Sequence, residues 1–166
     1  IRKKIEMELS LNLLHFMQKL TDPLERYIKN LDYKEYVHKT LELTSKSIDR
    51  ISESDPDLLY SRLENMDEED ILTYFELDKE INPAIWSCIA NFLALVSYYS
   101  YEATGEKYFP ETIESVDEET LEDYFGDYKK LINSYKELSK LNNSLQDEKY
   151  LKDKVVAHYF KFLFEG

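Results

Sequence analysis

The chain of 166 residues carries 34 carboxylates against 21 basic groups, a formal charge of −13, with 43% hydrophobic and 14% aromatic residues. Such a length and apolar content suit one domain spanning residues 1–166 with a full core and exclude a disordered chain; the single cysteine, Cys88, excludes an internal disulfide. The negative excess argues against nucleic acid or anionic lipid as partner and favours a basic protein.

Three glycines, four prolines and apolar residues recurring at three- and four-residue steps predict helix almost throughout. The expected fold is all-α, a compact bundle of about seven to nine helices around a central apolar helix at about 83–104. Asp22-Pro23, Asp55-Pro56 and Asn82-Pro83 each offer a capping side chain followed by a residue that lacks the N–H a first turn cannot use. The first helix is expected from Arg2 to Leu20, with Ile5, Leu9, Leu13, Phe16, Met17 and Leu20 as its apolar stripe. A short one follows over Leu24–Leu31. A third runs from Tyr33 to Ile51 and buries Tyr33, Val37, Leu41, Thr44, Ile48 and Ile51. A fourth covers Pro56–Asn65, and Asp67 is expected to cap a fifth that reaches Lys79.

From Ile81 to Tyr101 no residue carries a formal charge, close to the length of a bilayer span. Pro83, Ser87, Asn91, Ser97 and Ser100 interrupt the run and no basic flank follows it, so it reads as a buried central helix with Trp86 in the core. Gly105 supplies its left-handed end. The chain then predicts a loop through Tyr108-Phe109-Pro110 and one helical turn over Glu111–Glu114. Asp117 caps a short helix that Gly126 interrupts, and helices over Asp127–Leu141 and Asp147–Phe164 complete the chain. Val155, Tyr159, Phe162 and Leu163 are expected to dock the last one.

Charge is unevenly placed. Residues 51–126 hold 20 carboxylates against Arg62, Lys79 and Lys107, a formal −17, while both flanks are slightly basic. Within that block Asp67–Phe75 and Asp117–Phe125 share five of nine residues, which reads as two similar helix starts, since the likeness does not extend outward. Tyr98, Tyr99, Tyr101, Tyr108, Tyr124 and Tyr128 lie in or beside the block, and carboxylates rimming tyrosines would steer and then anchor a basic protein. Tyr108 and Phe109, in the predicted loop, are the aromatic residues hardest to assign to a core.

Catalytic signals are sparse. No Walker-type loop, GxSxG, HExxH or CxxC occurs. Glu35-x-x-His38 has the spacing of half a di-iron set without a second copy, so His38 reads as a surface histidine. Cys88, among Trp86, Ile89, Phe92 and Leu95, reads as a small core residue rather than a nucleophile. Glu68-Glu69 and Glu118-Glu119 point in different directions on a helix and read as solvated acids rather than an acid/base pair. No catalytic residue, cofactor or metal is expected, and no membrane or nucleic-acid partner. No secretory leader is visible at the start, and with one cysteine this predicts a cytoplasmic setting.

The stretch Pro83–Phe125 contains Trp86 in the central helix, Tyr98-Tyr99-Ser-Tyr101-Glu102, and Tyr108-Phe-Pro110-Glu111-Thr-Ile113-Glu114-Ser-Val116-Asp117-Glu118-Glu119. It resembles the all-α immunity proteins of bacterial polymorphic toxin systems of the contact-dependent inhibition type, and is most similar to the sixth numbered immunity family. The resemblance implies a non-enzymatic inhibitor that binds a cognate toxin domain in the producing cell. Such toxins are often nucleases, whose basic substrate site an acidic inhibitor can occupy. The candidate partner-binding residues are Glu68, Glu69, Asp70, Tyr108, Glu114, Asp117, Glu118 and Glu119. An acidic helical adaptor for another basic partner is the alternative; a helical enzyme would need two facing Glu/His sets.

Overall fold

The computed structural model describes residues 10–66 and 68–165, and among these every regular element is helical. We label the α-helical segments in chain order: α1 Leu11–Thr21, α2 Leu31–Asp49, α3 Pro56–Leu63, α4 Ile71–Leu77, α5 Pro83–Ala103, α6 Glu111–Glu114, α7 Glu118–Ser134, α8 Lys136–Ser139, α9 Leu141–Leu145 and α10 Lys154–Phe164. Short 3₁₀ turns lie at Asp22–Tyr27, Ile51–Glu53 and Lys149–Lys152. The all-α bundle is as expected.

The expected central helix is present and central. Asn82 accepts from the Ala84 N–H at its start, Pro83 occupies the first turn, and Gly105 closes its end at φ +75°, a conformation that a Cβ disfavours. Ile85, Trp86, Cys88, Ile89, Phe92, Leu93, Leu95 and Val96 are all buried, and α1, α2, α3, α4, α6 and α7 pack around them. Among the described residues no helix is long and apolar enough to cross a membrane.

The other elements join this core through side chains that close backbone valences. Tyr128 Oη donates to the Leu20 carbonyl at 2.6 Å, and Tyr124 Oη lies 3.2 Å from the Met17 carbonyl and 2.7 Å from Thr21 Oγ1. Tyr128 of α7 thereby satisfies a carbonyl in the last turn of α1, where carbonyls lack intrahelical partners, and Tyr124 adds a bond to the Met17 carbonyl that Thr21 Oγ1 also reaches. Lys129 does the same for α10, reaching the Phe162 and Leu163 carbonyls at 2.8 and 3.2 Å. Gln18, buried, donates to the Leu41 carbonyl at 3.0 Å and accepts from Thr44 at 2.7 Å, tying α1 to α2.

Several boundaries differ from expectation. Ser10 is extended and caps α1 through the Leu13 N–H at 3.1 Å, so α1 begins at Leu11. The expected start from Arg2, with Ile5 and Leu9, lies outside the described residues. The second helix is a 3₁₀ turn over Asp22–Tyr27 instead of Leu24–Leu31. In α2 Val37, Leu41, Thr44 and Ile48 are buried as expected, but Tyr33 is half-buried, and Ile51, also half-buried, lies beyond the end of α2 in the following 3₁₀ turn.

Asp67 also lies outside the described residues, and the α4 cap is Asp70, which accepts from the Thr73 N–H at 2.7 Å. Its counterpart at the other acidic start is Asp117 rather than a residue three further on, so the two similar segments enter their helices in different registers. Gly126 does not interrupt α7. A glycine inside a helix costs only about 1 kcal/mol relative to alanine, and the face formed by Leu121, Tyr124, Phe125, Tyr128 and Leu131 is buried on both sides of it. The break falls at Tyr135, so Asp127–Leu141 is not one helix. The last helix begins after Asp153 and buries Val156, Phe160 and Leu163; Val155 and Tyr159 are half-buried and Phe162 is exposed, one residue out of the expected phase.

Candidate functional site

Of the 20 carboxylates between residues 51 and 126, 16 are exposed, Glu64 is half-buried, Asp70 and Asp78 are buried, and Asp67 lies outside the described residues. Two short segments present most of the candidates. The first is the loop from α3 into α4, with Glu68 and Glu69 exposed and Glu69 accepting from Tyr74 Oη at 2.9 Å. The second is the passage from α6 into α7, where Glu114, Asp117, Glu118 and Glu119 are all exposed.

Local sequence fixes the second segment firmly. Ile113 and Val116 are buried pins on either side of the exposed Glu114. Asp117 accepts from the Thr120 N–H and Thr120 Oγ1 accepts from the Asp117 N–H, both at 3.2 Å, a reciprocal capping box. Glu118 and Glu119 then occupy the first turn, where the helix dipole favours negative charge. The two segments are tied together at Glu64, which accepts from Tyr60 at 2.6 Å and from Thr112 at 2.8 Å. Burial and the adjacent Glu64 carboxylate push the Tyr60 hydroxyl up to about 12, so it stays a donor.

Asp70 faces inward, unlike its neighbours Glu68 and Glu69. It is only 4% exposed, one carboxylate oxygen caps Thr73 and the other accepts from the Asn65 N–H, so its charge serves the α3–α4 turn and offers no surface. Tyr108 is 89% exposed. Its neighbour Phe109 is not: it is buried, with ring centroids 5.4 Å from Tyr98 and 5.2 Å from Tyr101. The remaining tyrosines of the acidic block are mostly interior. Tyr101 donates to Asp57 at 2.7 Å, Tyr98 to Glu102 at 2.7 Å, Tyr124 and Tyr128 bond α1, and Tyr99 is half-buried.

A surface hollow of about 380 Å³ opens where α7 meets α10, lined by Glu118, Leu121, Glu122, Lys154, Val155, His158 and Tyr159. Tyr159 stacks on Phe125 at 3.9 Å and 8°. Burial first, then the charges of Glu118 and Glu122, raise the Tyr159 hydroxyl above its ordinary value. Glu122 and Tyr159 were not among the candidates. The four-residue spacing of Glu122 from Glu118 puts both on one helical face, whereas the apolar periodicity of the last helix places Tyr159 in its core stripe.

Elsewhere His38 lies 2.8 Å from Glu25 and 3.6 Å from Glu42, at a hollow that Asp22, Arg26, Lys34 and Lys46 also line. Bonding to Glu25 and the surrounding carboxylates hold the imidazole above its ordinary value. Glu35 pairs with Lys39 at 3.3 Å instead of joining His38. Among the described residues no group of three or more His, Cys, Asp or Glu is placed to hold a metal ion. Cys88 is fully buried beside the Tyr124 carbonyl, and burial raises its thiol well above the ordinary value, the setting of a core residue.

Comparison with protein families matches residues 12–138 to Immunity protein Imm6. No curated protein and no solved structure matches the chain. The match covers well over half of the sequence and contains α1 from its second residue, α2 through α7, the Glu64 junction and all the candidate residues. The chain belongs to the Imm6 family, as its Pro83–Phe125 stretch suggested, and is an immunity protein directed against a cognate toxin protein.

Proposed function

We propose that the chain neutralises its toxin by covering a basic surface with the carboxylates of Glu68, Glu69, Glu114, Asp117, Glu118 and Glu119, with Tyr108 as an aromatic anchor among them. The observation that carries this is the exposure of 16 carboxylates in a block with three basic groups, beside a tyrosine that the fold leaves open. Burying a tyrosine supplies contact area at small entropic cost, and the surrounding charge accelerates encounter. Asp70 is not part of this surface.

The toxin that fits best is a nuclease, whose substrate groove is basic because it binds phosphates. The chain then acts as a stoichiometric inhibitor, without catalysis, in the cytoplasm of the cell that makes both proteins. The test is co-expression with the C-terminal domain of the protein encoded immediately upstream. Capture of that domain at low salt, loss of capture as salt rises, and restored growth of the host support the reading. Capture that is indifferent to salt would place the contacts on apolar surface instead, and no capture would remove the reading.

A further inference from the structure

The hollow between α7 and α10 has a construction that the general acidity does not explain. Glu118 and Glu122, four residues apart on one helical face, line it from α7; Lys154, His158 and Tyr159 line it from α10, the Tyr159 ring stacked on Phe125 and edge-on to His158 with centroids 5.1 Å apart. Among the described residues the side chains of Glu118, Glu122 and Lys154 make no hydrogen bond or ion pair with one another or with any neighbour, although they line one hollow. Elsewhere on the surface carboxylates and cations at helical spacing do pair, as Glu35 with Lys39 and Glu137 with Lys140. With His158 neutral the hollow carries a formal charge of −1, and the segment 117–123 that supplies its acidic residues also carries Asp117, Glu119 and Asp123, all exposed, with no basic residue.

We propose that this hollow receives an arginine side chain of the toxin, its guanidinium set between Glu118 and Glu122 and lying along the Tyr159 ring. Arginine fits where lysine does not, because a planar fork can bond two carboxylates at once and still stack on an aromatic ring. The ring is held for this by its stacking on buried Phe125, so docking costs little side-chain order. The volume of about 380 Å³ is near the lower limit of small-molecule pockets and suits a single inserted side chain. The family match reaches the α7 wall but ends at residue 138, before α10. The proposal rests on the reading of this surface as the toxin's docking face.

The test measures affinity of the same upstream-encoded toxin domain for the full chain and three variants. Glu118→Gln with Glu122→Gln keeps the shape and removes both charges, and should weaken binding by about tenfold or more. Tyr159→Leu should weaken it by a smaller factor. Lys154→Gln removes the one cation that competes for the site and should leave affinity equal or higher, a sign that general destabilisation does not produce. Thermal melting of each variant separates folding from binding. A toxin that binds the natural chain but binds the double variant within twofold overturns the arginine site while leaving the docking face intact. Loss of equal size in the Lys154 variant also overturns it. A toxin that fails to bind the natural chain overturns both.

Discussion

Replacing Trp86 by phenylalanine should destabilise the fold by about 3 kcal/mol without altering the affinity of the folded protein for its toxin. The indole is fully buried, lies against Tyr33 and Tyr74 with centroids 6.2 and 6.0 Å away, and donates from Nε1 to Asp78 Oδ2 at 3.0 Å. Asp78 is buried too, and its other oxygen accepts the Glu80 N–H at 3.0 Å. Phenylalanine keeps much of the aromatic contact but leaves one carboxylate oxygen buried without a donor, a loss of about 1.5–3 kcal/mol for a bond to a charged group. The missing ring volume adds about 1 kcal/mol. For a chain of this size the melting midpoint should fall by roughly 6–12 °C. Thermal denaturation followed by circular dichroism measures it. Asp78→Ala, alone and combined with Trp86→Phe, closes a double-mutant cycle, and the coupling should be about 1.5 kcal/mol or more. A coupling near zero would refute the bond as a stabilising contact, and a single-variant loss below about 1 kcal/mol would refute the assignment of Trp86 to a tightly filled core.

Gly126→Ala tests the continuity of α7. A Cβ built there meets nothing within 4 Å and the residue is helical, so alanine should stabilise by about 0.5–1 kcal/mol; destabilisation in urea titration would show that the helix needs glycine there. His38 should titrate above the ordinary imidazole value of 6.5, because Glu25, Glu42 and Asp22 favour its charged form. A pKa raised by folding stabilises fully below the unfolded value and loses that contribution as pH rises through the folded one. The melting midpoint of the natural chain should therefore exceed that of a His38→Gln variant at pH 6 and converge with it at pH 9, and an NMR titration at or below 6.5 would contradict this. Glu118→Lys with Glu119→Lys should weaken toxin binding and steepen no salt dependence, while costing about 0.3–1 kcal/mol per residue at the N-terminus of α7. Equal affinity in a titration of that variant would move the docking face elsewhere.

Why some of this was readable in the sequence and some not follows from the range of the interactions involved. The Asn82-Pro83 start, the Gly105 end and the turn at Glu111–Glu114 are set by residues within a few positions of one another, and all three stand where the local signals put them. Gly126 carries an equally clear local signal for a break. It is overruled because Tyr124 and Tyr128, on either side, bond to the end of α1 more than 100 residues earlier, and no window along the chain contains both partners. The shift in α10 has the same kind of origin, since Val156, Phe160 and Leu163 are buried against elements distant in the chain, among them Phe16 of α1 beside Phe160.

The candidate surface divides along the same line. Net charge is independent of conformation, so the concentration of acid between residues 51 and 126 was visible without a fold. The role of each carboxylate was not. Asp70 and Glu69 are adjacent in sequence, yet one closes a turn from the inside and the other is exposed, because the backbone at Asn65 reaches only the first. Tyr108 and Phe109 divide likewise, one open and one packed on Tyr98 and Tyr101, in a loop where no period tells inside from outside. The hollow needs Glu118 and Lys154 together, two residues that only the docking of α10 on α7 brings to one place. A charge count could therefore only suggest a class of partner to test, while any geometry that would discriminate among partners belongs to the packing of helices distant in the chain.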